Sequence, residues 1–298
     1  MAQKKDSPII FYGLMFVMIM IAIRSIMILA PQHLTLPATV ARATEKPLRH
    51  KSQLRLLTYN VLVHDIETEA RAKALMQIMQ DSDADIITVQ EAAVWFTDAL
   101  RGSDWARRYD RTPQQASSCA GQMILSKFPV TQSDCMPLVG RQGRLALITT
   151  VQTPDGPLHI GTSHLESPLV DAYTRMEQLA EISAKLGDTG DAIIAGDFNF
   201  GDEGPETMSL PKDYKDFWTT LRKGETGYTW DNERSDMARL SRERFPGEES
   251  RRLDWILLRS DKWQPSKVQL AGDEPIKPGD KSLFPSDHFG VLGVATRK

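Results

Sequence analysis

A set of polar side chains spread along this chain, Asn60, Glu91, His164, Asp197, Asn199, Asp254, Asp287 and His288, carries the groups needed to hold a hard cation and to move a proton. Carboxylate and amide oxygens serve the first task, and imidazoles paired with carboxylates serve the second. What makes them a set is their place at the ends of apolar runs. In a strand, alternate residues share a face, so Leu56 and Thr58 share theirs with Asn60, Ile87 and Val89 with Glu91, Ile160 and Thr162 with His164, and Ile193 and Ala195 with Asp197, Asn199 following at the same parity. Later segments reverse the order: Asp254 precedes Ile256 and Leu258, and Asp287-His288 precedes Phe289-Gly290-Val291-Leu292. Strands running the opposite way start where the first group ends, so all these groups converge on one rim. Taken singly, each has a plainer reading. A strand-end Asn or Asp commonly caps a turn, Glu91 complements the N-terminus of a following helix, His164 is a structural imidazole, and Asp254 pairs with Arg251 or Arg252. None of these readings predicts the common alignment.

The elements that must position these groups follow from periodicity. Ala74, Leu75, Ile78 and Met79 mark a helical face within Glu67–Gln80, and Met176, Leu179, Ala180 and Leu186 mark another that ends at Gly187. Strands alternating with helices, with added hairpins, give an α/β layered architecture. Glu233–Arg252, dense in charge, and Pro265–Pro285, rich in Pro and Gly, read as surface loops. Of the 298 residues 41% are hydrophobic and 25% charged, and the formal net charge is −3, which excludes a disordered chain and a general polyanion-binding surface. The two cysteines exclude a four-thiolate zinc site. Cys119 and Cys135 lie at equal distances from Lys127, flanking a hairpin expected near Lys127-Phe128-Pro129, which allows a cross-hairpin disulfide; buried free thiols are the alternative.

The chain divides into a tip and apolar anchor at residues 1–30, a proline-punctuated linker at 31–53, and a folded domain over 54–298. Ile9–Ala30 as a helix would span roughly 33 Å, enough for a bilayer, and Arg24 lies near one end, where its stem can reach the headgroups. Ala41-Arg42-Ala43 resembles a signal cleavage site but stands well beyond the apolar run. Lys4 and Lys5 place the N-terminus in the cytoplasm, so the expectation is a single-pass transmembrane anchor with the folded domain extracytoplasmic.

The motifs Thr58-Tyr59-Asn60-Val61, Val89-Gln90-Glu91, Ser163-His164-Leu165-Glu166-Ser167, Gly196-Asp197-Phe198-Asn199, Arg252-Leu253-Asp254-Trp255 and Ser286-Asp287-His288-Phe289-Gly290, in this order, resemble the endonuclease/exonuclease/phosphatase superfamily. Arg175 and Gln178 after the His164 motif, Tyr228-Thr229-Trp230-Asp231, and Phe284-Pro285 before Ser286 are most similar to its 5′-tyrosyl-DNA phosphodiesterase branch. The resemblance implies a four-layer α/β sandwich, two packed mixed sheets flanked by helices, with Mg²⁺ or Mn²⁺ at the rim. It implies that Glu91, with Asn60 and Asp287, holds the metal, that Asp197 orients or deprotonates the attacking water, that Asn199 holds a non-bridging oxygen, that Asp254 supports His288, and that His164 donates to the phosphate or leaving oxygen. Arg144 is a candidate phosphate contact, with an exposed strand-end arginine the commoner case. Glu166 either orients its neighbours, with Arg175 a candidate partner, or forms an ordinary surface ion pair. Trp230 stacks on a base or packs under its loop. No Gly-x-Ser-x-Gly elbow, P-loop or His-Glu-x-x-His helix is present, which disfavours covalent catalysis. The expected activity is a divalent-metal phosphodiesterase on nucleic acid. A membrane-proximal lipid or inositol-phosphate hydrolase is the alternative, and an inactive binding module is the weakest reading.

Overall fold

The structure, a computed structural model, describes residues 50–188, 190–242 and 247–298. The expected anchor lies outside them; among the described residues no helix is long and apolar enough to cross a membrane. The elements follow in the order β1 (Gln53–Asn60), α1 (Thr68–Ser82), β2 (Ile86–Gln90), α2 (Val94–Gly102), β3 (Asp110–Thr112), β4 (Met123–Ser126), β5 (Val130–Pro137), β6 (Leu145–Thr153), β7 (Gly156–Ser163), α3 (Ala172–Leu186), β8 (Asp191–Asp197), β9 (Lys215–Asp216), α4 (Phe217–Leu221), α5 (Asp236–Arg242), β10 (Asp254–Arg259), β11 (Trp263–Ala271) and β12 (Gly290–Arg297).

Two mixed sheets of six strands result, ordered β11-β12-β1-β2-β4-β3 and β5-β6-β7-β8-β10-β9. Their inner faces meet in a core holding Leu56, Ile86 and Ile124 of the first sheet and Leu147, Ile160, Ile193 and Ile256 of the second. The outer face of the first sheet, Leu57, Tyr59, Ile87 and Val89, is covered by Leu75 and Met79 of α1 and Phe96 and Leu100 of α2. Leu179, Ile182 and Leu186 of α3 cover Ile194 and Leu257 of the second. Four layers follow. The central strands read as unbroken apolar runs because both of their faces are buried, and each side chain so buried contributes about 1.5–3 kcal/mol. α3 ends at Gly187, whose φ of 70° a side chain would resist, and Asp216 caps α4 by accepting from the backbone N–H of Trp218 and Thr219.

Three local expectations are corrected. Lys127-Phe128-Pro129 does not turn a hairpin, since β4 belongs to the first sheet and β5 to the second. Cys119 and Cys135 are nonetheless disulfide-bonded; the bond joins the 3₁₀ turn Ala116–Cys119 ahead of β4 to edge strand β5. Pro265 lies inside β11, an edge strand that tolerates a residue without an N–H, with a register shift between Pro265 and Lys267. The charged tract around residue 240 includes α5, and Arg252 at its end is buried.

Candidate active site

Register brings the rim together. β10 runs antiparallel to β8 with Asp254 directly opposite Asp197, and His164, just past β7, bridges to Asp197. In the first sheet β1 and β2 run parallel, Asn60 pairing with Gln90, while β12 runs antiparallel to β1. Asn60 then closes the gap between sheets by donating from Nδ2 to Asp197 Oδ2 at 2.8 Å and to Glu91 Oε1 at 3.1 Å. Parity accounts for Asn60, His164, Asp197 and Asp254, whose strand-mates lie in the inner core. It does not account for Glu91. Ile87 and Val89 face the helices, and Glu91 reaches the rim because β2 has ended at Gln90 and Glu91 adopts a left-handed φ of 58°. Gly121 makes room for that turn: a Cβ there would stand 3.1 Å from the Glu91 Cα, and the Gly121 carbonyl accepts from Ala92 N–H. Asn199 is also left-handed, at φ 55°, a conformation Asn tolerates.

The hydrogen bonds set the roles. His288 Nδ1 lies 2.8 Å from Asp254 Oδ2, and its Nε2 lies 3.7 Å from Asp197 Oδ2. Burial alone would lower the His288 imidazole, but Asp254 and Asp197 outweigh it and hold it well above its ordinary value, hence protonated. His164 stands 3.4 Å from both Glu91 Oε1 and Asp197 Oδ2; burial, with Arg144 and His288 adding, keeps it well below its ordinary value and so neutral. The Asp197 carboxyl is pushed up to about 7, chiefly by burial and also by Asp254 and Glu91, against the pull of His288. A carboxylate poised there suits a general base. Asn199 donates its backbone N–H to Asp197 Oδ1 and its side-chain amide to the Leu165 carbonyl. Ser286 donates to the Asn60 carbonyl and accepts from His288 N–H, which locks Asp287 and His288 against β1.

These groups line a cleft of about 870 Å³, with Glu91, His164, Asp197, Asn199, Asp287 and His288 on its walls. Arg144 faces the same cleft, donates only to the neutral side chains of Gln142 and Ser167, and has no carboxylate in ion-pair range among the described residues. Glu166 is fully buried and accepts from the N–H groups of Arg141 and Gln142, so it fixes the loop carrying Gln142 and Arg144. Arg175 touches Glu166 only at its carbonyl and pairs instead with Glu206. Trp230 is 4% exposed and packs with Ala238 and Leu253, the packing alternative. Arg251 and Arg252 pair with Glu248 and with Asp202 and Asp216, leaving Asp254 to His288. Sequence reasoning missed Ser286, Gln142 and the fully buried Arg71. Ser286 stood inside the last motif without a role, and Arg71 left a signal of its own: it stands at i, i+4 and i+8 with Leu75 and Met79, a charge on the buried stripe of α1.

A hard divalent cation fits this site. Glu91, Asp287, Asp197 and Asp254 bring an excess of negative charge to one rim, an excess already visible in what Asp254 and Glu91 do to Asp197. The donors are oxygens, as Mg²⁺ and Mn²⁺ require. Among the described residues no three His, Cys, Asp or Glu side chains form a ready-made cage; Mg²⁺ is commonly bound through one or two carboxylates and completed by water. Asn60, whose Oδ1 accepts from Leu62 N–H, braces Glu91 from beside it.

An oxygen-rich rim, a buried carboxyl poised near neutrality and a His–Asp pair at the mouth of a two-sheet sandwich are the groups a metal-dependent phosphoester hydrolase needs. Residues 57–288 match the model of the Endonuclease/Exonuclease/phosphatase family, and the chain belongs to that family. It is similar to tyrosyl-DNA phosphodiesterase 2 of Xenopus laevis, 26% identical over 260 residues that cover 84% of this chain and 68% of that protein. It is also similar to the Homo sapiens protein of that name, 25% identical over 252 residues covering 81% and 67%. In fold it resembles the crystal structure of D. rerio TDP2 complexed with single strand DNA product, with a TM-score of 0.69 at 24% identity over 83% of this chain and 100% of that one.

Proposed function

We propose that this protein hydrolyses phosphodiester linkages at DNA ends, with Mg²⁺ as its usual cation and Mn²⁺ as a substitute. The carrying observation is the Asn60–Asp197–His288–Asp254 chain of contacts across both sheets, set in a cleft wide enough for a nucleotide. Asp197 takes the proton of an attacking water, since its pKa near neutrality lets it be a free carboxylate at working pH and still accept. Protonated His288, held by Asp254, places a positive N–H beside Asp197 where negative charge develops on the phosphoryl oxygens. Neutral His164, between Glu91 and Asp197, offers a hydrogen bond to the leaving oxygen, which departs as the oxyanion and is protonated by solvent, and Asn199 and Arg144 contact the non-bridging oxygens. Glu91 and Asp287, with Asn60 alongside, would hold the divalent cation, which when bound would supply neutralising charge at the phosphoryl oxygens.

Similarity over most of the chain to proteins named for tyrosyl-DNA phosphodiesterase activity supports DNA ends as the substrate. The Ile9–Ala30 run and the Cys119–Cys135 bond support a membrane-tethered enzyme with its catalytic domain in an oxidising, extracytoplasmic compartment. The test assays the full chain with Mg²⁺, Mn²⁺ or EDTA on 5′-tyrosyl DNA, single-stranded and duplex DNA, RNA and sphingomyelin. Metal-dependent cleavage of the DNA substrates is expected; cleavage of sphingomyelin alone would overturn the substrate, and metal binding without turnover on any phosphoester would leave a binding module.

A further inference from the structure

The buried guanidinium of Arg71 is the part of the site for which catalysis has no direct use. It reaches from α1 to the loop just before that helix and to a turn more than 200 residues away. Nη2 donates to the carbonyls of Val61 and Leu62, Nη1 to those of His64 and Ile66, and Nε to that of Pro285, at 2.5 to 3.1 Å. The guanidinium also lies 4.7 Å from the ring of Trp95, whose Nε1 donates to the Val63 carbonyl. A residue that is 0% exposed and makes no carboxylate ion pair among the described residues is costly to bury. Its donors all go to main chain, so what it achieves is backbone position.

Both stretches bear on the oxygens assigned to the cation. The 61–66 loop returns the Leu62 N–H to Asn60 Oδ1 at 3.0 Å and the Val63 N–H to Glu91 Oε2 at 2.8 Å. Pro285 precedes Ser286, whose hydroxyl ties Asp287 and His288 to the Asn60 carbonyl. One side chain therefore sets the spacing between the Glu91 arm and the Asp287 arm. Arg71 also supplies a permanent positive charge behind an acidic rim, close enough for Asp287 and Glu91 to act on it. We propose that Arg71 is a positioning residue for the divalent cation: it clamps the 61–66 loop to the Pro285-Ser286-Asp287 turn, so that Glu91, Asn60 and Asp287 stand at cation-binding separation before the ion arrives. The proposal rests on the reading of this rim as a cation site. Lysine cannot replace the arginine, because its ammonium has three donors on one atom and cannot reach five carbonyls in a fixed fork.

The experiment measures Mn²⁺ binding to the full chain by electron paramagnetic resonance without substrate, with melting temperature followed in parallel. Arg71→Lys is compared with Arg259→Lys, a buried arginine that donates to the Gly187 and Gly190 carbonyls at the other end of β10 from Asp254. Both variants lower the melting temperature, but only Arg71→Lys weakens Mn²⁺ binding, by about tenfold, and saturating Mn²⁺ restores kcat to within about threefold. Trp95→Leu, a milder change that removes the ring over Arg71 and the bond to the Val63 carbonyl, weakens binding about threefold and stands in if Arg71→Lys does not fold. Mn²⁺ affinity unchanged in a folded Arg71→Lys, or in Trp95→Leu where Arg71→Lys fails to fold, overturns the proposal. So does an equal loss in Arg259→Lys. A wild-type chain that binds no Mn²⁺ instead removes the cation site itself.

Discussion

Replacing Asp254 by Asn isolates the charge that keeps His288 protonated. The substitution is isosteric, and an amide oxygen at the Oδ2 position still accepts from Nδ1–H at 2.8 Å, so the ring keeps its orientation while losing its counter-charge. At an effective dielectric of about 20, a unit charge at 2.8 Å is worth about 6 kcal/mol and the second carboxylate, Asp197 at 3.7 Å, about 4.5 kcal/mol. Asp254 is thus the stronger of these two carboxylates in opposing burial, with Asp287 adding to them. Without it the opposition to burial weakens, and the His288 pKa falls from its raised position. A group with a raised pKa is protonated below that pKa, so wild-type activity persists into alkaline pH and is lost only as His288 deprotonates; in Asp254→Asn the same limb moves to lower pH. Replacing a charged donor at the phosphoryl oxygen by a neutral one costs roughly 2.7–4 kcal/mol, a 10²–10³-fold fall in kcat, with KM within about threefold. The assay is a pH–rate profile on a chromogenic 5′-nucleotide phosphodiester at saturating Mg²⁺, with circular dichroism to confirm folding. A folded variant with kcat within tenfold of wild type and an unmoved alkaline limb would refute the reasoning.

Asp197→Asn removes the base and keeps the acceptor for the Asn199 N–H; kcat falls about 10²–10⁴-fold with KM nearly unchanged in steady-state kinetics, and near-normal turnover removes the role. Reducing Cys119–Cys135, whose sulfurs close a loop across 16 positions, costs about 3 kcal/mol, or roughly 6–12 °C in calorimetric melting temperature for a domain of this size; two thiols alkylated in the native protein would refute the bond. Gly121→Ala forces a Cβ to 3.1 Å from Glu91 Cα at a φ of 81°. The strain costs about 1–3 kcal/mol of stability in urea titration, and the displaced Glu91 raises the Mg²⁺ concentration needed for half-maximal activity. An unchanged Mg²⁺ requirement would mean that Glu91 does not depend on this cradle.

Legibility in the sequence tracked the locality of the physics. Alternation alone places Asn60, His164, Asp197 and Asp254 at strand ends, because pleating repeats every second residue whatever the sheet around it. Glu91 has the same alternation and reaches the site by a different route, a left-handed residue accommodated by Gly121, which stands 30 positions further along the chain. The spacing of Cys119 and Cys135 about a hairpin expected near residue 127 suggested a disulfide; the bond forms, yet the strands on either side of that turn belong to different sheets, since a turn between strands can also pass from one sheet to another.

The sequence by itself determined the layered α/β class, the polar tips on apolar strands and the chemistry those groups could do, since residue type and short-range periodicity are written locally. Only the tertiary structure decided which tips meet. Asn60 touches Asp197 across 137 positions and Ser286 touches Asn60 across 226, contacts settled by how two sheets stack and by what Arg71 holds together. Protonation was decided there too: His164 and His288 are the same residue type at the same rim, and what separates neutral from charged is that Asp254 lies against His288 and Arg144 acts on His164.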